Sequence, residues 1–215
     1  MDKSVAVLGL GEFGQSLAEN LAILGADVMV VDRDRELVQE FSSKVTVCVC
    51  ADLADEQQLN ELGLSNMDTV VVAMGASLAA SVMSVMVAKE QNVPYVMAKA
   101  SSPSMAAILM KVGADKVFNP EEESGLRTAQ LLVSSAFLNL FNVDDDFSIV
   151  EMLPKRKWIG KSLIQLDLRR KYNVNVIAVS REQGNWHFID PTVPIEDGMR
   201  LLVASERKDL DRLSP

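Results

Sequence analysis

Three glycines, Gly9, Gly11 and Gly14, with an acid at Asp32 are the residues of this 215-residue chain whose types and spacing point most directly to chemistry. They lie in SVAVLGLGEFGQSLAENLAILGADVMVVD, residues 4–32, which reads as an apolar run, a glycine turn, an amphipathic segment, a second apolar run and an acid. Gly9 permits a tight turn out of a strand, Gly11 lets backbone approach a phosphate, and Gly14 lets a helix pack closely on a sheet. The N-terminus of that helix then points amide donors at an anion. Asp32 falls where a carboxylate takes a ribose hydroxyl. The chemistry is nucleotide binding, with a purely structural glycine turn as the alternative. The loop GLGEFG places Leu10, Glu12 and Phe13 in the candidate site as well, and Arg33 follows Asp32. Arg33 could admit a 2′-phosphate, but the carboxylate beside it disfavours NADP.

Other chemistries find less to work with. A dehydrogenase needs an acid or base beside the nicotinamide, and the single histidine, His187, lies far along the chain. Tyr172 lacks a lysine four residues on, and no Ser/His/Asp set, metal-ligand Cys/His cluster or Walker lysine is present. A net charge of −9 argues against a nucleic-acid partner. Cys48 and Cys50 read as buried small hydrophobes. The N-terminus passes directly into the first strand with no visible signal peptide, so the chain is expected to be cytosolic. Residues 70–88 carry no charge over the length of a membrane span, but Gly75 and Ser77 interrupt them, and a strand, a turn and a helix explain them better.

The elements that must position the glycines follow a regular alternation. Phe13, Leu17, Leu21 and Leu24 recur as one helical stripe expected to face the sheet, with Gly25 as the stop. Strands are predicted over 45–50, 69–74, 95–98 and 116–118, with helices between them and Asp34 as one cap. Six strands of this kind make an α/β, Rossmann-like doubly wound parallel sheet. A longer helix opens at Pro120, with Glu121, Glu122 and Glu123 at the positive end of its dipole. It is expected to span 120–142, with a stripe of Leu126, Ala129, Val133, Ala136 and Leu140 and further apolar surface from Leu132, Phe137, Leu138 and Phe141. This helix and the two before it lack the usual solvated face. They are predicted to form subunit interfaces, with Met83, Met86, Met105 and Met110 as adaptable filler. Asp144, Asp145 and Asp146 mark the expected boundary between a nucleotide-binding domain over 1–143 and a small α+β C-terminal domain over 144–215. The latter is built from hairpins and a helix over 162–171.

The sequence resembles the RCK (regulator of potassium conductance) family, in its Ktr/Trk potassium-uptake type with TrkA-N and TrkA-C domains. The resemblance rests on GLGEFG at 9–14, VVDRD at 30–34, LGLSNMDTVVVAMG at 62–75, KVGADKVFNPE at 111–121 and WIGKSLIQLDLRRKYNVNVIAV at 158–179. It implies a cytoplasmic, non-enzymatic regulatory subunit that assembles as dimers into an octameric gating ring. Such a ring docks beneath a potassium-translocating membrane subunit and switches it as the bound adenine nucleotide changes. It further implies that Gly9, Gly11 and Gly14 hold phosphates, that Asp32 takes the ribose, that Asp52 and Leu53 lie by the adenine, and that Gly75 and Lys99 line the rest of the cleft. Glu121 matches the acid of the family's PE motif, which in some members helps hold Mg or Ca with ATP. Asp167 and Arg169 fall where some relatives bind cyclic di-AMP. One position departs from the pattern: Glu12 stands where ATP-preferring members carry arginine. A carboxylate repels a γ-phosphate, so ADP or NAD/NADH becomes relatively more favourable. The other reading of the glycine motif is an NAD(P)-dependent oxidoreductase.

Overall fold

Four-to-six-residue apolar runs separated by capped helices leave the first half of the chain one economical arrangement, strands buried on both faces and paired in parallel. The computed structural model describes residues 3–133, 137–144, 146–181 and 184–213. The chain divides into two compact units, one ending at Glu122 and one beginning at Glu123. The first holds β1 (Ser4–Leu8), α1 (Glu12–Ile23), β2 (Asp27–Asp32), α2 (Arg35–Phe41), β3 (Val47–Cys50), α3 (Glu56–Glu61), β4 (Thr69–Val72), α4 (Leu78–Glu90), β5 (Tyr95–Lys99), α5 (Pro103–Lys111) and β6 (Lys116–Phe118). Its six strands are all parallel, in the order β3-β2-β1-β4-β5-β6.

Successive residues of one strand serve opposite cores, as a pleated strand requires. Val5, Val7, Val28 and Val30 pack with Ala18 of α1 and Val38 and Phe41 of α2. Ala6, Leu8, Met29 and Val31 pack with Leu59 of α3, Val85 of α4 and Leu109 of α5. Helices therefore cover both faces, and the strand order reverses between β1 and β4. The crevice outside the carboxyl ends of those two strands is where ligands collect in such sheets. The helix starts are fixed by side chains: Asp34 accepts from the Glu36 and Leu37 amides, Ser77 from Ala80 and Ser102 from Met105.

The second unit is a five-stranded antiparallel sheet in the order β10-β9-β11-β8-β7. Its strands are β7 (Phe137–Asn142), β8 (Phe147–Met152), β9 (Val174–Ser180), β10 (His187–Phe188) and β11 (Arg200–Glu206). Trp158, Leu166, Leu168 and Leu213 pack on Val150, Met152, Leu201 and Val203 of the sheet. The expected order, a Rossmann-like parallel sheet followed by a small α+β domain, is what the chain forms.

Five details differ from expectation. The helix opening at Pro120, α6 (Pro120–Val133), does not run on to Asn142 as predicted, because Phe137–Asn142 is a strand. Its reason is pairing: the segment alternates, burying Leu140, and docks antiparallel on β8. Asp144 closes this hairpin by accepting from the Phe147 amide at 2.7 Å. The expected boundary at 143/144 therefore falls inside a hairpin, while Ala136 and Asp145 lie outside the described residues. Leu24 leaves the predicted stripe, because α1 ends at Ile23 and turns Leu24 out to 82% exposure. Cys50 is exposed and Cys48 half-buried, since β3 is an edge strand. Met105 is buried and Met83 packs on the core, leaving Met86 and Met110 as the exposed pair. The helix over 162–171 is two short ones, α7 (Leu163–Leu166) and α8 (Leu168–Tyr172), broken at Asp167, whose φ of 47° is left-handed. Among the described residues no helix is long and apolar enough to cross a membrane.

Candidate functional site

Each glycine of the loop after β1 meets a different physical demand. At Gly9, φ is +103°, and a Cβ would come within 2.7 Å of Met74 Cγ at the end of β4. At Gly14 a Cβ would lie 1.9 Å from the Gly9 carbonyl oxygen, so no other residue fits while the loop keeps its path. Gly11 is the opposite case, because a Cβ there would meet nothing within 4 Å. It is the N-cap of α1 with no side-chain cap bond, and the space beside it is open at the start of a twelve-residue helix. That is the cradle an anion occupies.

The loop is held from two sides. Asp32 Oδ2 accepts from the Leu10 amide at 2.6 Å, and its Oδ1 accepts from the Asp34 amide at 2.9 Å. The acid predicted to meet a ribose thus also anchors the glycine loop to the end of β2, and each carboxylate oxygen retains a further lone pair. Gln15 Nε2 donates to the Leu10 carbonyl at 2.8 Å, a brace that no sequence pattern singled out. Arg33 and Glu12 are exposed.

Phe13 packs against Phe118 of β6 with the rings tilted at 47° and their centroids 5.2 Å apart. Lys99, closing β5, places its ammonium 5.8 Å from the Phe13 ring. Gly75 lies against the end of the Lys99 side chain, where a Cβ would touch Lys99 Cε at 3.4 Å. Lys99 is ion-paired to Glu121. That hydrogen bond, with one from the Glu121 backbone amide, holds the Glu121 carboxyl below its ordinary range. The Lys99–Glu121 pair, Gly75, Phe13 and the open turn at Gly11 form one group, joined by Phe118, which sequence reasoning passed over. Phe118 could have been found as an aromatic closing a strand on the ligand edge.

The residues predicted by the adenine divide. Asp52 is exposed just beyond β3, where its Oδ1 accepts from the Ala54 amide at 2.9 Å. Leu53 is 5% exposed inside the core, so its side chain supports this corner from below instead of facing the crevice. Among the described residues no cluster of three or more His, Cys, Asp or Glu stands ready for a metal ion, and Glu121 is engaged by Lys99. Asp167 and Arg169 belong to the second unit, both exposed around the break between α7 and α8. His187 is exposed on β10 of that unit.

Comparison with known proteins places this geometry. The TrkA-N domain model matches residues 5–120 and the TrkA-C domain model matches 147–215. The chain is 34% identical over 211 residues to Ktr system potassium uptake protein A of Bacillus subtilis (strain 168), covering 98% of this chain and 95% of that relative. It is 35% identical over 181 residues to Ktr system potassium uptake protein C of the same organism, covering 84% and 82%. The crystal structure of the GsuK RCK domain shares the fold with a TM-score of 0.67 at 14% identity, covering all of this chain and 47% of that one. With both domain models matched in order and this identity over nearly its whole length, the chain belongs to the family that joins a TrkA-N domain to a TrkA-C domain.

Proposed function

We propose that the chain is the nucleotide-binding regulatory subunit of a potassium-uptake system, acting by binding and not by turnover. The observation that carries this reading is the full-length likeness to Ktr system potassium uptake protein A, in a chain whose first helix opens its amides at Gly11. An adenine nucleotide supplies negative charge and a ribose. Gly9, Gly11 and Gly14 leave its phosphates room at the first turn of α1, and Asp32 offers its remaining lone pairs to the ribose hydroxyls. Asp52 stands beside the adenine end, and Lys99 beside the phosphate end. Glu12, exposed in the first turn, sets its charge against a third phosphate and favours ADP or NAD over ATP.

The regulated partner is a potassium-translocating membrane subunit, and the chain works from the cytoplasmic face of the membrane. It assembles with further copies of itself, as dimers closing into an octameric ring, through the apolar surface left on α4, α5 and α6. A switch between two ring shapes needs about 1–3 kcal/mol of coupling per site when several sites act together. In the second unit Asp167 and Arg169 mark the segment for cyclic di-AMP.

The test is potassium uptake by cells carrying the membrane subunit with and without this chain. Uptake is expected to depend on the chain and to fall with Gly11→Ala, which leaves the fold intact. Uptake indifferent to the chain contradicts the reading.

A further inference from the structure

The Lys99–Glu121 pair is unevenly held. The lysine side chain is 12% exposed and fixed in place beside Phe13 and Gly75, whereas the glutamate side chain is 67% exposed, on the second residue of α6. Breaking the pair therefore moves the glutamate into solvent and leaves the ammonium where it is. Around the open turn of α1 the acids are Glu12 and Asp32, Phe13, Met74 and Gln15 are neutral, Arg33 is exposed beyond Asp32, and Lys99 brings a positive charge beside Phe13. A cation set beside helix amides that face open space completes an anion site. Its present partner is a carboxylate, an anion that stands where a ligand phosphate would.

We propose that Lys99 exchanges partners: Glu121 occupies it in the nucleotide-free protein, and a phosphate group of the bound nucleotide takes it over, releasing Glu121. This rests on the nucleotide-binding reading above and adds a competition within it. The exchange is favourable on general grounds, because an ion pair whose carboxylate is largely in solvent contributes less than a charge-assisted contact to a phosphate already held by helix amides. It also fixes the role of Glu121. A carboxylate that must leave before the phosphate contact forms opposes binding, whereas a carboxylate that holds a metal against the phosphates assists it. The two roles predict opposite signs.

The test is calorimetric titration of the full-length protein and its Glu121→Gln, Lys99→Gln and double variants with ADP and with adenosine, in EDTA, with urea unfolding as the check that each variant folds. Glu121→Gln is expected to tighten ADP about threefold or more and leave adenosine unchanged. Lys99→Gln is expected to weaken ADP about tenfold, also without effect on adenosine, and adding Glu121→Gln to it should change nothing. Weaker or unchanged ADP binding in Glu121→Gln overturns the exchange, as does a full effect of Glu121→Gln in the Lys99→Gln background. Wild-type protein that binds neither compound overturns the nucleotide reading itself, so the two failures are told apart.

Discussion

Gly11 and Gly14 look alike in the motif and do opposite work, which makes them separable by experiment. A methyl group at Gly14 would sit 1.9 Å from the Gly9 carbonyl oxygen, so Gly14→Ala must displace the loop or the helix. Its cost is expected to be several kcal/mol, in the range of overpacked or strained sites, and urea unfolding should show it. A methyl at Gly11 meets nothing, so Gly11→Ala is expected to unfold at nearly the wild-type midpoint while losing nucleotide affinity about tenfold or more. Equal destabilisation by both would make Gly11 a structural glycine. The motif showed which residues make the loop, because glycine spacing is written in the sequence. It did not show that Asp32 already spends lone pairs on the Leu10 and Asp34 amides, or that Gln15 braces the Leu10 carbonyl. The Leu10–Asp32 bond depends on where β1 and β2 end relative to each other, a distance that no spacing along the chain encodes. Leu53 shows the same limit: its position beside Asp52 was legible, its direction into the core was not.

Among the elements, the parallel strands were legible because residues buried on both faces produce unbroken apolar runs, and the helix starts because Asp34, Ser77 and Ser102 cap them. The segment after Val133 was not, because leucine and phenylalanine serve a helix stripe and a strand face equally well. Only the tertiary pairing of Phe137–Asn142 with β8 decides it. Another tertiary tie makes a prediction at this scale. Asp115, between α5 and β6, accepts from the Val96 amide of β5 at 2.7 Å and from Lys89 of α4 at 3.0 Å. Partial burial pushes its carboxyl up, but the Val96 amide and the Lys89 ammonium outweigh this and hold it below its ordinary 3.8. The lowered value means the charged form stabilises the fold above pH 3.8, a contribution lost as pH falls through the lowered pKa. Asp115→Ala is expected to cost roughly 1–3 kcal/mol near neutrality by leaving the Val96 amide unpaired. The gap to wild type should narrow in acid, below the ordinary carboxylate range. A pH-independent gap would assign the effect to packing alone.

For the whole molecule, the exposed apolar side chains on three successive helices carry the expectation of self-assembly. Met86 of α4, Met110 of α5 and Leu132 of α6 remain 41%, 51% and 82% exposed. Light scattering is expected to give a multiple of the 23.5 kDa chain mass, and Met86→Lys with Met110→Lys to reduce it without lowering the unfolding midpoint. A monomeric wild type at micromolar concentration would remove the ring from the account. The family of the chain was legible in motif order, since five stretches in sequence are more specific than any alone. The arrangement of copies was not, because an interface is complementary to a surface that one chain does not describe.

Whether the turn at Gly11 holds an adenine nucleotide is read by isothermal titration of the purified protein with ADP, ATP, NAD+ and NADH, with and without magnesium. Saturable binding of one nucleotide per chain is expected, with ADP or a nicotinamide nucleotide ahead of ATP because Glu12 opposes a third phosphate. ATP binding tightest of all, strengthened by magnesium, would contradict the role given to Glu12 and to the Lys99–Glu121 pair. Binding of none of the four would contradict nucleotide binding at that turn.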